Sequence, residues 1–385
     1  MDRQAFVGLM VIETTLAFGN TFAATFNLVY LVKQLEMPLW STPIYLAMGW
    51  AISMAISLWM SWKPHLDPRN AMVAGLAFLC VEYSLFLVVD EGWVLITLVG
   101  VCFGLFYPLF WTPFNILMAR MTERKDRGVT YGAFFFVWPA VAFVAPVLGG
   151  LVIGFLSYEV LYVLGFSIIG LTALLVVAYR KHIPKDQVMK IRPKEIGRRN
   201  VMATLGEGGF EGIFWIAYVL VALDFSDDEV SLGALFSLFG LSAGVMGIIL
   251  GKVSDKIENR VLFLRISVIA SIPCIVLIYL ASSLTEYAIA NGLLDFAAFV
   301  LPVFLFAILT DKMEDAKNDS VLTREFYLDI GRTVSVGIMI ALLYLGATAQ
   351  ECYLVAIPFL ALGLFAREFK RIDGIPPVIA GTRPG

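Results

Sequence analysis

The sequence predicts an all-α integral membrane protein, twelve transmembrane helices arranged as two six-helix bundles, and three observations carry that prediction. Hydrophobic residues make up 59% of the chain and charged residues 15%, with a mean hydropathy of +0.84; a soluble domain has about 45–50% apolar and about 25% charged residues. Apolar runs of about 20 residues, enough to cross the hydrocarbon core as a helix, recur along the whole length and leave no soluble domain. The runs are continuous rather than alternating, which fits helices and argues against an outer-membrane barrel.

In the first half the runs place spans at residues 5–32, 40–62, 71–89, 93–119, 131–156 and 158–180. Span 1 follows Met1-Asp2-Arg3-Gln4 and is too long for the apolar core of a signal peptide, so it is expected to be retained. Span 2 carries Ala47, Ala51 and Ala55 and leads into a short turn with Asp67, while span 3 holds Glu82. Span 4 is dense in rings (Phe103, Phe106, Tyr107, Phe110, Trp111 and Phe114), span 5 contains Ala145-Pro146-Val147-Leu148-Gly149-Gly150, and span 6 ends at Arg180. The longest connection follows, with Arg180, Lys181, Lys185, Lys190, Arg192, Lys194, Arg198 and Arg199. It divides the chain into a bundle over 1–180, a basic linker over 181–199, a second bundle over 200–367 and a tail over 368–385.

In the second half spans are expected at 200–223, 230–250, 261–283, 287–310, 328–349 and 352–367. Span 7 begins with Gly206-Glu207-Gly208-Gly209-Phe210-Glu211-Gly212, two acids and four glycines at the head of an apolar run. Span 8 sets Gly240, Gly244, Gly247 and Gly251 on one face, the spacing of the span 2 alanines, and small residues at such intervals let helices approach closely in lipid. Asp295 falls in span 10, and Arg324 to Arg332 forms a charged segment leading into span 11. The four cysteines, Cys80, Cys102, Cys274 and Cys352, lie in apolar runs without paired spacing and read as buried thiols.

The net charge of −3 says little, but its distribution orients the chain. Of the 28 lysines and arginines, all but Lys33 and Arg265 lie at the termini, in the even-numbered turns or, as Arg332 does, at a helix end beside such a turn. The positive-inside rule then puts both termini in the cytoplasm of a cell that carries the protein in its plasma membrane. Glu36, Asp90, Glu91, Glu159, Asp224, Asp227, Asp228, Glu229, Glu286 and Glu351 fall on the outer side, in agreement.

The turn Gly251-Lys252-Val253-Ser254-Asp255-Lys256-Ile257-Glu258-Asn259-Arg260 resembles the signature loop of the major facilitator superfamily. Gly251, Asp255, Lys256 and Arg260 match, and Glu258 replaces the second glycine. The first-half counterpart, Lys63 to Asn70, keeps Asp67 but has Pro68 where a basic residue is usual. Ala145 to Gly150 is similar to the core of a motif found in antiporter members. The resemblance implies two bundles around a cavity that opens alternately to either side, lined chiefly by spans 1, 4, 7 and 10. It also implies gating contacts at the signature loop, where Asp255 can face a helix amino end.

An ionised acid near the bilayer centre costs about 2.5–3.5 kcal/mol on insertion scales, so intramembrane acids should face protein or water rather than lipid. Glu207 and Glu211, four residues apart on one helix face, are expected to share a partly wet cavity with Glu13, all three at about one depth, while Asp295 enters from outside. Repulsion and desolvation should keep a proton on at least one of the pair, which suits proton coupling. The rings of spans 4 and 7, including Trp111, Phe214 and Trp215, suit an organic cation, and Asn20 and Asn115 add hydrogen-bonding groups. No basic residue is expected at that depth, which disfavours anionic substrates. Gating is expected at Asp67, Gly251, Asp255, Lys256 and Arg260, and at Arg324, Asp329 and Arg332, where Asp329 and Arg332 can pair on one face.

The expected function is therefore secondary active transport by alternating access: proton-coupled export of organic cations or amphipathic small molecules. The alternative is a uniporter or symporter of a neutral polar solute such as a sugar. His65 and His182 both fall in loops, the sequence has no HExxH or Walker loop, and its one Gly-x-Ser-x-Gly match, Gly240 to Gly244, sits within the apolar run of span 8, so an enzyme or ATP-driven pump is not expected. The expected partners are a small-molecule substrate, protons and the bilayer, with no nucleic acid, no metal and no cofactor, in a monomer.

Overall fold

A computed structural model describes residues 3–63, 65–121, 127–185, 187–253, 259–310 and 319–368. Among them, eleven helices are long and apolar enough to cross a membrane, and Ala349–Phe365 forms a shorter twelfth apolar helix. Spans 1 to 6 are Phe6–Lys33, Ile44–Trp62, Pro68–Val88, Gly92–Ala119, Phe136–Phe155 and Tyr158–Ala178. Spans 7 to 11 are Arg198–Phe225, Glu229–Leu250, Arg260–Leu280, Leu284–Thr310 and Ser320–Tyr344. Large apolar side chains such as Leu174, Ile269 and Ile289 cover the outer surface, where lipid is their solvent.

Proline interrupts two spans. Span 10 breaks between Leu284–Ala298 and Val300–Thr310, and Pro302 has no N–H for the Ala298 carbonyl. Span 12 breaks between Ala349–Tyr353 and Ala356–Leu362, where Pro358 leaves the Leu354 carbonyl to accept from Ile357 N at 3.1 Å instead. Span 1 breaks between Arg3–Ala24 and Asn27–Lys33, beside Thr25, whose hydroxyl donates to the Thr21 carbonyl at 2.7 Å.

The largest departure from expectation is at span 11. Its helix begins at Asp319, not at 328, so the charged segment Arg324 to Arg332 is membrane-embedded helix rather than a turn. Its charges lower the local hydropathy and hide a helix that protein, not lipid, surrounds.

In the first half, span 1 packs on spans 5 and 6, span 4 on spans 2 and 3, and span 3 on span 6. In the second, span 7 packs on spans 11 and 12, and span 10 on spans 8 and 9. The halves meet where span 5 lies along span 8 and span 2 along span 11. Glycines allow the first contact: a Cβ at Gly233 would sit 2.5 Å from the Pro146 carbonyl oxygen, and one at Gly240 would strike the backbone of Ala142. The stripe read on span 8 thus faces span 5 at Gly240 and Gly244, and Gly247 faces Phe136 and Phe299.

The linker is more ordered than a tether. Gln187–Val188 pairs antiparallel with His65–Leu66, and the Arg192 and Ile191 amides donate to Thr323 Oγ1 (2.8 Å) and Ser61 Oγ (3.1 Å). Met189, fully buried, packs with Met60, Ile116, Phe306 and Leu322. The linker therefore lies across one face of the molecule, here called the linker face, and touches both halves. On the distal face the halves are clasped by Lys33 Nζ and Glu229 Oε1 at 2.6 Å, with the Tyr158 hydroxyl donating to the same oxygen at 3.2 Å. Trp40 and Tyr344 meet edge to face beside them, with ring centroids 5.2 Å apart.

Candidate functional site

The glycines of span 7 determine what its acids meet. A Cβ at Gly208 would collide with the Leu328 carbonyl, and one at Gly212 would lie 2.6 Å from Ser335 Oγ, so this face sits directly on the span 11 backbone. Gly206 and Gly209 meet Phe359 of span 12 in the same way, and Gly331 answers from span 11 against Leu205 and Gly209. With the backbones this close, Glu207 and Glu211 reach the arginines of span 11.

Arg324 Nη2 donates to Glu207 Oε1 at 2.5 Å and Arg324 Nη1 to Glu325 Oε1 at 2.9 Å. Two turns further along, Arg332 donates to Glu211 Oε2 through Nη2 (2.5 Å) and Nε (3.1 Å), and through Nη1 to Asp329 Oδ1 at 3.0 Å. The first half joins the network at both ends. Asn115 Nδ2 of span 4 donates to Glu325 Oε1 at 3.3 Å, and Ser53 Oγ of span 2 donates to Asp329 Oδ2 at 2.5 Å. Glu207, Arg324, Glu325, Asp329 and Arg332 are all buried.

Aromatic rings enclose the Arg332 guanidinium: its Cζ lies 5.1 Å from the Tyr107 and Trp215 ring centroids and 6.0 Å from that of Trp50. Arg324 stands 5.2 Å from the Phe306 ring. The acid-and-aromatic lining expected for a ligand cation is thus already engaged, on its Glu211 side, by the protein's own arginine. The expectation that no basic residue lies at this depth is corrected: among the described residues there are two, both buried. The sequence held a signal for them, since Arg324, Glu325, Asp329 and Arg332 recur at helical spacing and two intramembrane acids require partners.

The other predicted residues are dispersed. Glu13 is fully buried in span 1; neither of its oxygens has a hydrogen bond of good geometry, and the polar group that neighbours the carboxylate is the Trp138 indole. Asn20 accepts from the Tyr83 hydroxyl at 3.2 Å. Asp295 accepts from Asn291 at 2.7 Å, and Asn291 in turn accepts from Tyr353 at 2.7 Å, an arrangement of spans 10 and 12. Trp111 packs on Trp138 with centroids 5.6 Å apart, and Phe214 stacks between Phe210 and Tyr218 along span 7.

Among the gating candidates, Asp67 caps span 3: it accepts from the Arg69 amide (3.0 Å), Nε (2.8 Å) and Nη2 (2.7 Å). Those Arg69 hydrogen bonds hold its carboxyl below the usual aspartate range. Gly251 lies near the end of the helix Glu229–Val253 and Arg260 opens span 9, while Asp255 and Lys256 fall outside the described residues.

A family model described as Major Facilitator Superfamily matches residues 9–310. The chain is 23% identical over 358 residues to an uncharacterized protein, YqgE, of Bacillus subtilis (strain 168), covering 85% of this chain and 80% of that one. Two solved structures share the fold at 12% identity. One is the human organic anion transporter MFSD10 (TETRAN), with a TM-score of 0.67 over 94% of this chain and 98% of that one. The other is a POT family transporter in complex with a thioalcohol-conjugated peptide, with a TM-score of 0.69 over 94% of this chain and 95% of that one.

Proposed function

The chain belongs to the major facilitator superfamily and is a multi-pass secondary transporter rather than an enzyme, and from that premise we propose that it couples proton movement to the transport of a small organic molecule through the carboxylate–arginine network. The observation that carries this reading is a count: four carboxylates, Glu207, Glu211, Glu325 and Asp329, share two guanidinium groups. Fully ionised, the cluster holds two uncompensated negative charges where each buried, unpaired charge costs several kcal/mol. Protons are the partners that balance it. Because Ser53 and Asn115 join Asp329 and Glu325 to the first half, a proton arriving at either acid changes a bond between the halves. That is the property a coupling site needs, a ligand with different affinity for two conformations.

In this reading the linker face is cytoplasmic, in a plasma membrane, and the Lys33–Glu229 clasp closes the outer side. Direction is taken as export, with organic cations or amphipathic molecules as substrates; what supports it is the similarity of Ala145 to Gly150 to the antiporter motif, whose Gly150 seats tightly against Glu229 and Gly233. The test is ethidium transport driven by an imposed pH gradient in liposomes. Replacing both Glu207→Gln and Glu211→Gln is expected to cut proton-driven transport by about ten-fold or more, the effect of losing a group used only in the coupled step. Undiminished coupling in the double variant rejects the assignment.

A second reading has its own support. Arg332 already fills the ring cage beside Glu211, as a purely structural clasp would, and the substrate would then be neutral. Transport indifferent to the pH gradient would favour it.

A further inference from the structure

Three intramembrane acids, Glu13, Glu82 and Asp295, stand apart from the network among the described residues. Glu13 is fully buried at mid-helix in span 1, and neither carboxylate oxygen has a hydrogen bond of good geometry among the described residues, whereas Glu207 and Glu211 each have an arginine. Burying a carboxylate without a partner is among the costliest arrangements a protein maintains. What lies beside it is aromatic: Trp138 of span 5 flanks the carboxylate, and Trp111 of span 4 packs on Trp138. Both indoles are only partly buried. Elsewhere the protein shows how it holds a cation in this medium, with Arg332 between the rings of Tyr107 and Trp215 and against Glu211. Spans 1, 4 and 5 repeat the same pairing of acid and rings on the opposite half, without an arginine in it among the described residues.

We infer that Glu13, Trp138 and Trp111 form the subsite for the positively charged group of the transported molecule, a lipophilic organic monocation whose charge Glu13 neutralises and whose apolar flank the two indoles cover. The inference rests on the transport reading above and adds to it a division of labour: span 1 binds the cation, and spans 7 and 11 carry the coupling.

The test compares two ions of matching shape and opposite charge, tetraphenylphosphonium and tetraphenylborate, by equilibrium dialysis against the full-length protein in detergent. Saturable binding of tetraphenylphosphonium alone is expected. Glu13→Gln should weaken it by about thirty-fold or more, as for losing one partner of a desolvated charge pair. Trp138→Leu should weaken it by about three- to thirty-fold, the range for a cation–ring contact out of water. Glu82→Gln, at a buried acid of span 3 outside both sites, should leave it within about three-fold of wild type. Equal binding of both ions, no binding of tetraphenylphosphonium, or full binding by Glu13→Gln would overturn the assignment. Should Glu13→Gln not fold, Trp138→Leu and Trp111→Leu decide alone, and unaltered binding in both overturns it. Proton coupling is read separately with ethidium in liposomes, so undiminished coupling in the Glu207→Gln and Glu211→Gln double variant, with the tetraphenylphosphonium result intact, would sink the coupling reading and spare the subsite.

Discussion

At the scale of single residues, Arg332 has the most to lose. It forks between Glu211 and Asp329 and is stacked among three rings, a combination that a planar guanidinium makes and an ammonium does not. Arg332→Ala is expected to destabilise the protein by about 3–5 kcal/mol, because it strands the buried Asp329 and the partly buried Glu211, and Arg332→Lys should recover little of that. Adding Asp329→Asn to Arg332→Ala should cost less than the sum of the two single changes, since residues in one network are not additive. Thermal unfolding of the four proteins in detergent checks this, and additive losses would contradict the network. Glu207 and Glu211 were legible in the sequence because an acid in an apolar run must face protein or water. Arg324 and Arg332 left a trace in their helical spacing, but that they pair with Glu207 and Glu211 was not readable, because which helix supplies the opposite charge is a matter of packing between segments more than a hundred residues apart.

At the scale of elements, glycine decides which helices can exchange such contacts. Gly208, Gly212 and Gly331 seat spans 7 and 11 backbone to backbone, and the ion pairs follow from that distance. Gly208→Val should therefore act twice: it overpacks the contact at a cost of about 1–3 kcal/mol, and it moves Glu207 away from Arg324. The expected result is a folded, less stable transporter with proton coupling impaired about as much as in the Glu207 and Glu211 variant, measured by the same liposome assay. A Gly208→Val protein with normal coupling would show that the pair does not need this spacing. Apolar run length revealed nearly every span, yet missed the start of span 11 by nine residues (319 against 328), because run length detects helices that face lipid and this one turns its charges inward. The span 8 glycines were readable as a close-packing stripe; that span 5 is what they meet emerged only in the fold.

At the scale of the whole molecule, the two halves are joined at both ends, by Lys33–Glu229 on the distal face and by the linker around Met189 on the other. Lys33, conspicuous in the sequence as the basic residue outside the positive-inside pattern, has its explanation in that clasp. Lys33→Ala should shift the population toward a distally open form. Spin labels at Asp90→Cys and Thr285→Cys, in a background without the four native cysteines, should report longer distances in the variant; an unchanged distribution would mean that the clasp does not hold the halves. The twelvefold layout was open to inspection in the hydropathy, whereas the linker's role was not, since a basic connection looks alike whether it hangs free or is strapped down. The interrupted last helix bears on the surrounding lipid. At 1.5 Å per residue, Ala349–Phe365 rises about 26 Å, roughly 4 Å less than a typical hydrocarbon core. Acyl tails bordering that flank must therefore shorten or splay to meet it, so the annulus around the protein is lopsided, thinner beside its carboxyl-terminal helix than elsewhere.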